Sequence, residues 1–125
     1  MPFVRISVPA GTAAAARAAL ADAVHQALTE TFDVPQDDRF QVIEALGGDS
    51  LVCTPSYLGL SHARPAFVQI VCSVGRSVEK KKALLRRMAE LAQEGAGWRR
   101  EDLIVHLVEV QKENWSFGNG LAQYA

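Results

Sequence analysis

The chain opens Met1-Pro2, and a proline behind the initiator is the residue that can leave a secondary amine at a protein's terminus. Removal of Met1, usual when the second residue is small, would turn Pro2 into that amine. A free α-amino group titrates near pH ~8, where burial and neighbouring charge can tune it. Protonated, it donates hydrogen bonds and acts as an acid. Neutral, it is a base, or a nucleophile that forms an iminium ion with a carbonyl. The competing reading is structural: Pro2 precedes "FVRISV" and could serve as a rigid strand opener.

Other side chains with chemical potential form no pattern of their own. His25, His62 and His106 lack metal-ligand spacing, and no metal is expected. Cys53 and Cys72 match no metal or redox motif and read as reduced, buried small hydrophobes. Lys80, Lys81, Lys82, Arg86 and Arg87 spread around their helix, the distribution of a solvated surface.

Whatever Pro2 does, other elements must position its partners. The 125 residues, 49% hydrophobic and 22% charged, fit one soluble domain over residues 1–125 with a real core. A net charge of −1 and a pI near 6.3 argue against nucleic acid and anionic membranes as partners. No apolar run approaches the roughly 20 residues of a membrane span, and no secretory signal is visible, so the expected location is cytoplasmic.

The strongest internal feature is a repeat at an offset of 64. Phe3, Val4, Ile6 and Gly11 fall on Phe67, Val68, Ile70 and Gly75, and Leu20 falls on Leu84. Without a gap, Asp38 then meets Asp102, Phe40 meets Ile104, and Ile43 meets Leu107. Two copies of one unit follow, about 2–46 and 66–109, joined by a Gly-, Pro- and Ser-rich connector at 47–65 and followed by a tail at 110–125.

Each copy reads as strand, helix, strand. Strands are expected at 3–8, 40–46, 66–73 and 103–109, and the connector allows one more short strand. In the first helix Leu20, Ala23, Val24, Ala27, Leu28 and Thr31 form a stripe from Ala13 to about Thr31. The second starts at Ser77 as N-cap with Glu79 in its first turn, buries Leu84, Leu85, Met88, Leu91 and Ala92, and stops at Gly95 or Gly97. A β-α-β unit joins parallel strands by a right-handed crossover, so both strands begin at one edge of the sheet. That rule places Asp38 near Pro2. The strands are apolar nearly throughout while two helices cover one face, so the other face is expected to meet copies of the chain.

Pro2, the duplicated β-α-β unit, and above all "ENWSFGNGLAQY" at 113–124 resemble the tautomerase superfamily. The tail, "VPQDDRFQV" at 34–42 and "GRSVEKK" at 75–81 are similar to malonate semialdehyde decarboxylase and its relatives. The likeness runs the length of the chain. It implies an α/β (α+β) tautomerase-like fold, with a four-stranded mixed sheet, two helices on one face, and a homotrimeric assembly. It also implies that the first strands of the copies lie antiparallel, which gathers Pro2, Asp38 and Arg76 around one pocket.

The activity implied is a cofactor-independent lyase reaction on malonate semialdehyde or a similar small 3-oxo acid. The amine of Pro2 would make the carbonyl a better electron sink, by hydrogen bond or as an iminium ion. Arg76 would hold the carboxylate and align the breaking C–C bond. Asp38 would bind the amine or orient a water, the latter supporting hydratase side activity, and Trp115, Phe117 and Tyr124 would bind substrate as a dry wall. His62 and Arg64 are further candidate carboxylate contacts.

Two departures bear on substrate. Val74 stands where some decarboxylase relatives carry the first arginine of Arg-x-Arg, and the chain ends at Ala125, soon after "AQY", which leaves less to close a pocket. A larger or different substrate fits both. The nearest alternative activity is enol–keto tautomerisation of a phenylenolpyruvate or 2-hydroxymuconate type, with neutral Pro2 as general base. A third alternative, of another class, is a non-catalytic trimer that keeps the fold for interaction.

Overall fold

A computed structural model describes residues 1–125. The alternation in "FVRISVP" makes β1, Phe3–Pro9, whose Val4, Ile6 and Val8 are buried. Next come α1, Ala14–Phe32, and β2, Phe40–Leu46. The connector holds two short strands, β3, Ser56–Tyr57, and β4, Leu60–Ser61, paired as a hairpin where one short strand was expected. The second unit follows as β5, Ala66–Ser73, α2, Val78–Ala96, and β6, Leu103–Val110. No helix is long and apolar enough to cross a membrane.

The helices end where local chemistry ends them. Ser77 caps α2, its Oγ accepting from the Lys80 N–H at 3.2 Å, with Glu79 in the first turn beside the positive end of the helix dipole. α2 runs past Gly95 and stops at Gly97. α1 ends at Asp33, which takes the left-handed conformation with φ 57°. The stripe of α1 is buried as expected from Leu20 to Leu28, but Phe32 takes the last place and Thr31 is half-buried. In α2, Leu84, Met88 and Ala92 are buried, Leu91 is half-buried, and Leu85 is exposed, because it lies one residue off the stripe that faces the sheet.

The sheet has the order β2-β1-β5-β6, with β1/β2 and β5/β6 parallel and β1/β5 antiparallel. The register repeats with the sequence: Phe3 faces Phe40 as Phe67 faces Ile104. Across the central pair Arg5 faces Gln69, its own counterpart in the second unit. A pseudo-twofold axis therefore passes between these two residues, and the start of β1 lies beside the end of β5.

Both helices pack on one face, over Val4, Ile6, Val8, Val68, Ile70 and Cys72. Ile6, Leu20, Leu28, Ile70, Leu84 and Met88 are completely buried. Each such side chain contributes roughly 1.5–3 kcal/mol relative to an exposed one. The opposite face has no helix. Its middle is polar, with Ser7 donating to Glu44 at 2.8 Å and Arg5 3.8 Å from the same carboxylate, and Gln69 3.2 Å from His106. Toward the site end it turns apolar and leaves Phe40 and Val42 exposed.

Candidate active site

The antiparallel central pair brings three segments to one end of the sheet: the chain start, the turn after β5, and the tail after β6. Each contributes differently. Met1 is present, and its α-ammonium lies 3.4 Å from Asp38 Oδ2, with Pro2 buried directly behind it. The parallel register supplies this contact, since Phe3 faces Phe40 and Asp38 stands just before β2. A turn closed by the Asp38 N–H donating to Pro35 O at 3.0 Å holds the aspartate there. Its side chain is 10% exposed, and Oδ1 is buried with no hydrogen-bond partner. Native proteins leave few such atoms unpaired, and those that exist gather at functional sites.

Arg76 follows a sharp turn at Gly75, whose φ of +119° is one that residues with a side chain seldom adopt. The turn returns the guanidinium toward the sheet, where Nη1 donates to Ser73 O at 3.2 Å and Cζ lies 4.4 Å from the centre of the Phe32 ring. No carboxylate pairs with Arg76. It is a half-buried cation, oriented by a ring and a carbonyl, with donors left over.

The tail is bound to this corner by its aromatics. Trp115 Nε1 donates to Ser73 Oγ at 3.2 Å, and Phe117 stacks on Trp115 with centroids 5.5 Å apart and planes 11° apart. Phe117 also meets Phe40 at 5.6 Å and the edge of Tyr124 at 5.4 Å. Gly118, Asn119 and Gly120 all take positive φ, at 129°, 57° and 66°, a tight reversal that explains the two glycines of "FGNG". Gln123 clasps the loop, accepting from the Phe117 N–H at 3.0 Å and donating to Gly118 O at 3.1 Å.

Together these segments line an open cleft of about 540 Å³, formed by Met1, Ser73, Arg76, Lys112, Gln123 and Tyr124. Pro2 and Asp38 lie beneath Met1, while Trp115 and Phe117 stand behind Tyr124 as a stack. Ser73, Lys112 and Phe32 had no motif to announce them, while Phe40 and Gln123 lie inside "VPQDDRFQV" and "ENWSFGNGLAQY" but were not singled out. Strand parity was a usable signal for Ser73, and the Phe40–Ile104 repeat pair for Phe40; Lys112 and Gln123 depend on how the tail folds.

Other candidates lie elsewhere. His62 binds Thr54 O through Nδ1 at 2.9 Å and lines a separate cavity with Pro9, Cys53 and Pro65, at the opposite end of the central strands. Arg64 stacks over Trp98 at 5.1 Å. Neither reaches the cleft, because the connector returns the chain to the start of β5 and the cleft lies at its end. Cys72 is buried, and desolvation pushes its thiol above the ordinary value despite the opposing pull of Arg76. Cys53 is only half-buried, contrary to the buried state expected of both thiols. His25 turns inward from α1, with Nε2 2.8 Å from Gln36 O.

Known proteins resemble this chain in sequence and fold. A family model described as tautomerase enzyme matches residues 38–118, and a second with the same description matches residues 2–59. The probable tautomerase YusQ of Bacillus subtilis (strain 168) is 36% identical, covering 98% of each chain. Among solved structures, FG41 malonate semialdehyde decarboxylase inhibited by 3-bromopropiolate superposes with a TM-score of 0.91 at 29% identity, covering 98% of this chain and 93% of that one. A fused 4-OT symmetric trimer shares the fold, with a TM-score of 0.78 at 23% identity over 98% of this chain and 97% of its own. Two family models that together span residues 2–118 and a relative 36% identical over the whole chain leave one assignment: the chain belongs to the tautomerase family of enzymes.

Proposed function

We propose that the chain is a cofactor-independent decarboxylase of small 3-oxo acids, malonate semialdehyde being the test case, and that it works through the Pro2 amine once Met1 is removed. The observation that supports this is the Asp38 carboxylate, buried, with one oxygen unpartnered and the other 3.4 Å from the α-ammonium of Met1, the residue whose removal would leave the Pro2 nitrogen as the terminal amine. An anion held there suits an amine that acts as a cation.

In the reaction the Pro2 ammonium hydrogen-bonds the aldehyde oxygen, or the amine condenses with the aldehyde to an iminium ion. Arg76, free of any internal carboxylate, binds the substrate's carboxylate and turns the breaking C–C bond toward alignment with the carbonyl π system. The bond breaks and carbon dioxide leaves. Its electron pair moves into the carbonyl or iminium group, and the resulting enol or enamine takes a proton at carbon; on the iminium route the water expelled in the condensation is then added back, and hydrolysis of the product iminium ion frees the aldehyde and the Pro2 amine. Trp115, Phe117 and Tyr124 exclude water on one side, which strengthens these charge interactions. Asp38 can also orient a water for hydration as a side reaction.

A second reading is supported by the relative named a probable tautomerase: enol–keto proton transfer with neutral Pro2 as base. The pH profile separates them, since activity that rises as the amine loses its proton favours the base. In either case the uncovered sheet face, with Phe40 and Val42 exposed, and the trimeric neighbour support a homotrimer.

The test is incubation with malonate semialdehyde followed by borohydride, comparing the chain with Pro2→Ala and Arg76→Ala. Carbon dioxide release that falls by at least about 10²-fold in both variants supports the reading. Turnover equal to the unmodified chain in both would refute it.

A further inference from the structure

Arg76 is held by a ring where most structural arginines are held by an acid. Its Cζ lies 4.4 Å from the centre of the Phe32 ring, and its Nη1 donates to Ser73 O at 3.2 Å. Phe32 is 4% exposed, so the ring side of the contact is dry, where the attraction between a guanidinium and an aromatic face is strongest. Asp33, the next residue along the chain, pairs with Lys80 at 3.4 Å and not with Arg76.

The other end of the sheet shows the same corner built without this pair. At the offset of 64, Arg76 matches Thr12 and Phe32 matches Ala96. The turn after β1 makes the corresponding contact, with Thr12 Oγ1 donating to Pro9 O at 2.7 Å where Arg76 donates to Ser73 O. The helices end alike, α1 at Asp33 and α2 at Gly97, both left-handed. The repeated motif is therefore complete with neither a cation nor a ring at these positions. The two appear together, and only at the end of the sheet where β1 and β2 begin beside Pro2 and Asp38. Because the ring belongs to the first unit and the cation to the second, neither unit makes the contact alone.

We propose that Phe32 is a positioning residue for Arg76: its ring fixes the guanidinium by cation–π attraction and leaves the N–H donors open for the carboxylate of the substrate. This rests on the reading of Arg76 as the carboxylate holder. An acid in place of Phe32 would occupy those donors. With no holder at all, a long side chain would have to be ordered at the expense of ligand affinity.

The test replaces Phe32 in the full chain by mono-, di- and trifluorophenylalanine, which keep the shape of the ring while draining negative charge from its face. Propionate is the probe, its affinity measured by NMR titration. Affinity falls with each added fluorine and is about fivefold weaker with the trifluoro ring, the scale of one cation–π contact. Phe32→Leu, which has no ring, loses at least as much. Affinity that ignores the fluorines overturns the proposal and makes Phe32 a packing residue. Affinity that rises with them also overturns it, since the ring would then compete with the carboxylate for the cation. Failure of the underlying reading shows separately. If the unmodified chain does not bind propionate, or if Arg76→Ala binds it equally well, Arg76 is not the carboxylate holder, whatever the fluorines do.

Discussion

Asp38 and Asp102 occupy matching positions in the two β-α-β units, yet only Asp102 has both carboxylate oxygens engaged. Asp102 is 2% exposed, accepts from the Ala63 N–H at 2.7 Å and lies 3.6 Å from Arg99. Asp38 has the terminal amine 3.4 Å from Oδ2 and nothing on Oδ1. One duplicated residue thus serves as a structural anchor in one unit and remains available for chemistry in the other.

The two aspartates should therefore respond oppositely to substitution. Asp102→Ala removes the acceptor of the Ala63 N–H and the partner of Arg99 and should cost about 1–3 kcal/mol in urea unfolding, with turnover of the surviving folded protein little changed. Asp38→Asn should leave stability within about 0.5 kcal/mol while turnover of a 3-oxo acid falls roughly 10²-fold. A large stability loss for Asp38→Asn with normal turnover would reverse the assignment.

Intact mass is expected to show a chain that begins at Pro2. Inserting one alanine between Met1 and Pro2 keeps a terminal amine but locks the proline nitrogen in an amide. Turnover should then fall at least about 10²-fold with the circular dichroism spectrum unchanged. Full activity in the insertion variant would show that no amine at Pro2 is needed.

The tail should lose its grip when Trp115 and Ser73 are uncoupled. Trp115→Phe keeps the stacking on Phe117 but removes the Nε1–H donor, and Ser73→Ala removes its 3.2 Å acceptor. A double-mutant cycle on unfolding free energy should return a coupling of about 1 kcal/mol. A coupling near zero would mean that stacking alone seats the tail.

Acid should loosen the connector hairpin before the core. The Ser61 N–H donating at 2.9 Å, and then Arg99 at 3.2 Å, hold the Glu101 carboxylate below its ordinary value of 4.5. A depressed folded value means that the contribution is fully present above about pH 4.5 and fades as pH falls through the lower folded value. The protection of the Ser61 amide, its exchange measured against the intrinsic rate at each pH, should fall over that window in the unmodified chain, while in Glu101→Gln it should be low on both sides of it. Equal protection in both would remove Glu101 as the hairpin's anchor.

Much of the framework was legible in one dimension. Periodicity marked the helices and strands because each must bury one face, and the offset linking Phe3 to Phe67 and Asp38 to Asp102 revealed the duplication that the registers reproduce. Leu85 was misjudged because the sheet sees a narrower stripe of α2 than the apolar residues suggest. The second connector strand was missed because two-residue strands are too short for a period to show. His62 and Arg64 were attractive by type alone, and within this chain they lie at the other end of the sheet from the cleft.

The sequence by itself determined which groups were available: a proline at position 2, an acid before each second strand, a cation after β5 and an aromatic tail. Only the tertiary structure decided which of them meet. Antiparallel pairing of β1 with β5 sets Arg76 beside the chain start, and the reversal at Gly118–Gly120 folds Tyr124 and Gln123 over the same corner as Lys112. Such contacts join residues far apart along the chain. Strand register and loop closure create them, and neither is written in local composition.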